Sequence, residues 1–510
     1  MGSGVSKLAA RALSAVNDAT LRPGLHPIPG TKPLTIEAII CPPLIYYVAL
    51  LFLPPAPPHV VDTVTFKLLR NALAGLAGFL FFRLPLTYHI PQSIGLNYQL
   101  SLVGLYGGCR VLDAFFISPY LFGHVPRRVR YVQQPRTAGS QRREETEAKK
   151  DALNNAADRR ESVSVSGRLS ASDMLENVRR GSMPSAADSL SLLSRTLSGP
   201  TPQPVTETAE SEDGWPHAFF DRASWALELE MSMRGVGFTW TTADVRHTRQ
   251  TWRPTAQDRL HSILVHVVPV LGVCFIVIRT IYTRYLEDAD KVLTEGAVYA
   301  RDLFDERLPF HLQLALTAAL GAFLMSAFSF AHSMFAIMLS PLAPSPLAFF
   351  PPLYSTRIWD IQSVRGFWSY GWHRLFARLF LVYGVWPGEW LERKLTGKRN
   401  DEPADIGKVL GGFISSAFVH SFAVRSVLGG EWGRAGGEAK FFAVNGVAVV
   451  LEEIVKRQVR RYRKQRKAPR EMWYDAWIGR TWWISLLLVS GRQFARGWVN
   501  AGLVREMAAK

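Results

Sequence analysis

The run S-V-R-G-F-W-S-Y-G-W-H-R at Ser363–Arg374 and the run G-G-F-I-S-S-A-F-V-H-S-F at Gly411–Phe422 decide how this chain is read. In the first, large aromatics, a histidine and two arginines crowd into a dozen positions. Helical spacing puts Phe367, Trp368, Trp372, Leu375, Phe376, Leu379 and Phe380 near one face, which predicts an amphipathic, interface-seeking helix. The second run sets His420 inside an apolar segment long enough to enter a bilayer. An ionisable side chain is costly there unless it has a task or a partner.

The composition around these runs is that of a polytopic membrane protein. Of 510 residues, 48% are hydrophobic and 15 are tryptophan, with a mean hydropathy of +0.05. The stretch Met1–Lys32 has no compact apolar run with a cleavage site, so the first membrane helix is expected to act as its own signal. Cys41, Cys109 and Cys274 lie in or beside apolar segments and are not spaced as a metal site or disulfide framework, so no metal is expected. The formal charge of +17 taken alone suggests nucleic acid. Its location argues otherwise: Arg127, Arg128, Arg130 and the run Lys456–Lys467 flank apolar segments, as cytoplasmic loops do. No nucleic-acid partner is expected.

An all-α fold of about eight apolar segments follows. They lie at roughly Ile36–Leu53, Leu68–Leu84, Tyr98–Phe122, Leu260–Tyr282, His311–Leu339, Ile406–Leu428, Phe441–Val455 and Arg480–Ser490. Pro85 and Pro91 suggest breaks near the second and third, leaving room for a re-entrant piece. The chain divides into N-terminal membrane segments (1–125), a Ser-, Arg- and Glu-rich insert with almost no aromatics (126–214), expected to be disordered, and a membrane core (215–510). Arg179–Ser182 reads as a phosphorylation site. Gly2–Ser6 fits the N-myristoylation pattern, which needs a cytosolic N-terminus. Three crossings before the basic run at Arg127 put that terminus on the other side, so the two expectations exclude each other.

An acidic linker (Glu287, Asp288, Asp290, Asp302, Asp305, Glu306) reads as lumenal and Lys456–Lys467 as cytosolic. Parity then requires that Trp372–Trp386 not span: it should lie in the interface or dip in and return. Upstream, the glycines of R-G-V-G-F-T-W at Arg234–Trp240 suggest a tight turn.

His420 is suited to take a proton from an alcohol near neutral pH, and a site shielded from water protects an acyl donor from hydrolysis. His266 and His332 also sit in apolar runs, and any of the three could be a packing residue. Around His373, Arg365, Arg374 and Arg378 could meet the phosphates of a nucleotide-bearing donor. An aromatic belt with snorkelling arginines explains the same residues. Glu452 and Glu453 read as a helix-end pair facing the basic run.

F-F-P-P-L-Y at Phe349–Tyr354, followed by S-V-R-G-F-W-S-Y-G-W-H-R, resembles the signature of the wax-synthase-like branch of the membrane-bound O-acyltransferases. That signature is a proline-proline-leucine turn, then a serine, a basic residue, F-W and W-H. R-G-V-G-F-T-W, F-I-S-S-A-F-V-H-S-F and F-F-A-V-N-G-V-A-V-V-L-E-E at Phe441–Glu453 match in order and spacing. The resemblance implies an endoplasmic-reticulum enzyme that moves an acyl group from acyl-CoA, a co-substrate and not a bound cofactor, to a hydroxyl-bearing lipid or natural product. On this chain it implies His420 as catalytic base and His373 as its polar partner. Arg365, Phe367, Trp368, Trp372 and Arg374 are then expected near the CoA donor. One position departs: relatives often carry glutamate directly after the catalytic histidine, where this chain has Ser421. A transporter or a catalytically silent scaffold is the competing class, and no second copy of either motif, as transporter repeats would show, is present.

Overall fold

A computed structural model describes residues 25–55, 63–123, 126–133, 205–209, 215–240, 256–295, 302–339, 350, 353–354, 358–400, 402–433, 435–467, 469 and 472–508. Gly2–Ser6, Arg179–Ser182 and most of the 126–214 insert lie outside these, as does most of the proline-rich run Pro341–Tyr354.

The eight apolar segments all fall in helices. They are α1 (Ile36–Leu51), α2 (Thr63–Thr87), α3 (Ile94–Phe122), α5 (Arg259–Lys291), α7 (Phe310–Leu339), α10 (Asp405–Arg425), α11 (Gly436–Gln465) and α12 (Asp475–Asn500). Between them lie α4 (Phe219–Met231), α6 (Leu303–Arg307), α8 (Val364–Gly366 and Phe367–Gly371) and α9 (Ala377–Phe380, Leu381–Val385 and Trp386–Thr396), with α13 (Leu503–Ala508) last. Among the described residues, α2, α3, α5, α7 and α10 are each long and apolar enough to cross a membrane. Their outer faces carry exposed Phe79, Val273, Ile276 and Ile414, a surface that water would not tolerate and lipid would. The chain is a polytopic α-helical membrane protein.

Pro85 does not break its helix, contrary to the expectation: α2 runs on to Thr87, two residues past it. The turn freed by the proline is packed, since Pro85 lies against the helix-facing side of Gly104 in α3. Ser93 then starts α3 by accepting from the Leu96 N–H at 3.1 Å.

Among the described residues, strands are few. β1 (Lys32–Pro33) pairs in parallel with β2 (Tyr88–His89). The two ends of the insert meet, as β3 (Val129–Gln133) pairs antiparallel with β4 (Val205–Ala209), in register from Val129↔Ala209 to Gln133↔Val205.

Two helix crossings position the site. Gly384 and Gly388 of α9 face Gly411 and Gly407 of α10 so closely that a Cβ on any of them would overlap the opposing backbone. Only glycine permits that approach. Second, Leu105 of α3, Leu375, Phe376 and Leu379 around the start of α9, and Val419 of α10 form one buried cluster. α12 links the two ends of the bundle. Arg463 of α11 holds Asp475 at its start, and Arg492 and Arg496 near its end pair with Asp302 and Asp305 of the acidic linker.

Candidate active site

Ser363 begins the signature segment by accepting from the Gly366 N–H at 2.9 Å. Glu452 of α11 takes the Val364 N–H at 2.8 Å while also holding Lys456 at 2.9 Å. The expected helix-end acid therefore also caps the signature helix, and its neighbour Glu453 pairs with Arg365 at 3.0 Å.

The segment is not one amphipathic helix, and this corrects the expected single face. After π-type turns at Phe367–Gly371 the backbone at Trp372 is extended (φ −109°, ψ 157°), and helix resumes at Ala377. The two halves bury against different neighbours. Phe367 stacks on Trp483 of α12 at 5.4 Å, and the Trp368 indole donates to Asn445 of α11 at 3.1 Å. Leu375, Phe376 and Leu379 pack on α3 and α10. A straight helix could not reach both sets, so the chain breaks where His373 stands.

His373 is buried in that break, with its ring 5.1 Å from Trp372, 5.8 Å from Phe376 and 4.8 Å from Phe328 of α7. Its Nδ1 has no hydrogen-bond partner among the described residues. His420 sits on α10 with 12% of its side chain exposed. Its ring stacks on Phe442 of α11 at 4.7 Å and meets Phe494 of α12 at 6.0 Å. Trp368 lies 5.6 Å from the same Phe442, so an aromatic path runs from the signature to the α10 histidine. The two imidazoles are near enough to interact electrostatically.

Arg374 parts company with Arg365. It falls into electrostatic reach of Arg234, which in turn feels Arg259 of α5. Arg234 begins the R-G-V-G-F-T-W turn, where Gly235 and Gly237 take positive φ of 70° and 82° as the glycines predicted. Arg110 of α3 holds that loop through the Ser232 carbonyl at 3.1 Å. Arg378 has a different partner, Asp113 of α3, at 2.8 Å in a buried pair. His332 lies on α7 within the field of Arg234 and Arg259, and His266 is on α5.

Two residues of the site were not foreseen. The Tyr98 hydroxyl of α3 is 3.0 Å from His420 Nδ1, and the Glu438 carboxylate of α11 is 3.9 Å from the same nitrogen. Tyr98 begins an apolar run and Glu438 stands just before another, so neither position marks itself as chemical in the sequence. Ser421, where an acid was expected, donates to the Ala435 carbonyl at 3.2 Å.

Residues 350–444 match the Membrane bound O-acyl transferase family, a segment that contains both His373 and His420. Over 240 residues the chain is 24% identical to the acetyltransferase eriL of Hericium erinaceus, covering 47% of this chain and 58% of that protein. The chain therefore spans a little over half the length of that relative. No solved structure matches the chain. Through the segment that carries both histidines, these comparisons relate the chain to the membrane-bound O-acyltransferase superfamily.

Proposed function

We propose that the protein is an acyl-CoA-dependent O-acyltransferase that esterifies a hydroxyl inside the membrane. The observation that carries the reading is His420: a histidine in a membrane helix, stacked and nearly buried, with Nδ1 engaged by Tyr98; this reading gives Nε2 to the substrate. In the step, the acceptor O–H gives its proton to Nε2 as the oxygen bonds to the thioester carbon. The C–S bond then breaks, and the leaving thiolate takes the proton from Nε2, releasing CoA. His373 steadies the oxyanion or positions the donor. The electrostatic cluster of Arg234, Arg259 and Arg374 supports a phosphate-bearing donor. Trp372, beside His373, supports donor contacts there, while Arg365, Phe367 and Trp368 serve the same end indirectly by fixing the segment.

The finer assignments are part of the same proposal. The signature motifs favour the wax-synthase-like branch and an endoplasmic-reticulum enzyme. The printed name of the relative, an acetyltransferase, favours a short acyl chain, and the motif resemblance favours a lipid or natural-product alcohol as acceptor.

The test offers purified protein labelled acetyl-CoA and palmitoyl-CoA with long-chain, sterol and terpenoid alcohols, beside His420→Ala. Ester formation is expected, with a loss of at least about 100-fold in the variant, the lower end of what a general base supplies. Equal turnover by a folded variant removes His420 as the base. No ester with any pair transfers the weight to a transporter or silent scaffold.

A further inference from the structure

Glu438 is the buried acid that the acyl-transfer reading leaves without a task. It is 1% exposed on the first turn of α11. Apart from a loose contact with the Trp498 indole N–H, its oxygens accept no hydrogen bond from the described residues. His420 is the basic group that the structure sets within ion-pair reach of it, at 3.9 Å. A buried carboxylate needs partners to hold its charge, and the two that the structure sets beside it are the Trp498 indole N–H and the His420 ring. Its proton is therefore linked to that of His420.

We propose that Glu438 is a positioning residue for His420, supplying from the next helix the carboxylate that the base needs. The proposal rests on the acyl-transfer reading for its consequence, though not for its geometry. In the proposed arrangement the Nδ1–H of His420 donates to the Tyr98 oxygen 3.0 Å away, the tautomer that keeps the Nε2 lone pair for the acceptor. When Nε2 takes the acceptor proton, the positive ring forms 3.9 Å from Glu438, which stabilises it. The proton leaves again with the thiolate, and Nδ1–H and Glu438 end as they began. The titratable groups facing the ring are Tyr98 from α3, His373 from the break before α9 and Glu438 from α11. α12 contributes Phe494 to the ring and Trp498 to Glu438, neither of which carries a charge. Of these groups, Glu438 is the one carboxyl. Ser421 cannot take this part, since its hydroxyl is spent on Ala435.

The experiment compares wild type, Glu438→Gln and Glu438→Asp in detergent by two readouts. The first is the pH profile of kcat/KM. Removing the carboxylate makes the ring lose its proton more readily, so the acid limb of the Gln variant is expected to move to lower pH by about one to three units. The Asp variant keeps its limb near that of wild type while kcat falls. A residue that merely packs would lower kcat without moving the limb. The second is the pH midpoint of His420 modification by diethyl pyrocarbonate, read by peptide mass spectrometry, which needs no turnover and should shift in the same direction. If the Gln variant does not elute as a folded species, Glu438→Met, neutral and of similar volume, takes its place. An unmoved midpoint in the neutral variant overturns the proposal. Wild type inactive toward every acyl-CoA overturns the acyl-transfer reading instead and leaves the modification midpoints to decide Glu438.

Discussion

The hydroxyl of Tyr98 on α3 and Nδ1 of His420 on α10 stand 3.0 Å apart. Tyr98 is held there by more than this bond: its ring meets Trp498 edge-on at 5.7 Å and it is buried in the cluster that joins α3, α5, α7, α10 and α12. Tyr98→Phe should therefore fold, since the ring and its packing remain. It removes only the hydroxyl that faces His420 Nδ1, a hydrogen bond whose loss leaves one buried polar atom unsatisfied at about 1–3 kcal/mol. Turnover is expected to fall roughly 5- to 150-fold on that scale, with KM for the acyl donor little changed. Wild-type kcat in the variant would show that Nδ1 does not need Tyr98.

Glu506 on α13, near the chain's last residue, accepts from Ser93 Oγ at 2.6 Å, the Ile94 N–H at 2.6 Å and the Gly95 N–H at 3.1 Å. A buried carboxylate is tolerated here because it meets the positive end of α3 and three donors at once. One turn further along α3 is Tyr98. Glu506→Ala is expected to lower thermal stability by about 1–3 kcal/mol, with Glu506→Gln milder because one acceptor oxygen remains. Melting in detergent measures both. Equal melting of the Ala variant and wild type would mean that α13 does not anchor α3.

Much of the fold was legible because hydrophobic length and charge position are local properties. Each of the eight apolar segments could be read from its own window, and the turn at Gly235 and Gly237 from its own glycines. Pro85 misled because its effect depends on a neighbour, and Gly104 on a different helix, having no side chain, leaves room for the Pro85 ring and the Phe81 carbonyl. The break at Trp372 was illegible for the same kind of reason. Helical spacing assigned seven residues to one face, whereas Trp483 and Asn445 claim one half and α3 and α10 the other. His373 and His420 were singled out by their aromatic and apolar settings and by motif resemblance, and the structure brings the two rings within electrostatic reach. Tyr98 and Glu438, which the structure sets beside His420, lie 322 and 18 positions from it in sequence, across helix contacts that no window of sequence displays.

The pair Arg463–Asp475 closes the connection between α11 and α12, with oxygens of Asp475 at 2.5 and 2.8 Å from the guanidinium. The Arg463 hydrogen bond holds the Asp475 carboxyl below its usual range, helped by the Met472 N–H. A carboxyl with a depressed folded value contributes stability above its unfolded value of about 3.9 and loses it as pH falls through the lower, folded one. The Asp475 side of the pair is 35% exposed and screened by water, which keeps the worth of the pair to about 1 kcal/mol. Asp475→Asn is expected to melt slightly below wild type at neutral pH, with the gap narrowing as the buffer is taken below about pH 4. A gap that stays constant down to acid pH would assign the loss to something other than this charge.

Gly411 of α10 and Gly384 of α9 meet backbone to backbone, nine residues before His420 on one side and eleven after His373 on the other. A side chain at 411 would overlap the Gly384 carbonyl, so the helices must part or slide. Overpacking of this kind costs about 1–3 kcal/mol where the neighbours can yield. The consequence for chemistry should be larger, because parting α9 from α10 separates the segment that holds His373 from the helix that holds His420. Gly411→Val is expected to lose most turnover while still eluting as a folded species, whereas Gly412→Ala one residue on should be tolerated. The Cβ there would meet only Val385 Cγ2 at an ordinary 3.5 Å. Comparing the two variants separates the effect of the crossing from that of adding carbon to α10. Equal activity in both would mean that the distance between the histidines is not set at this crossing.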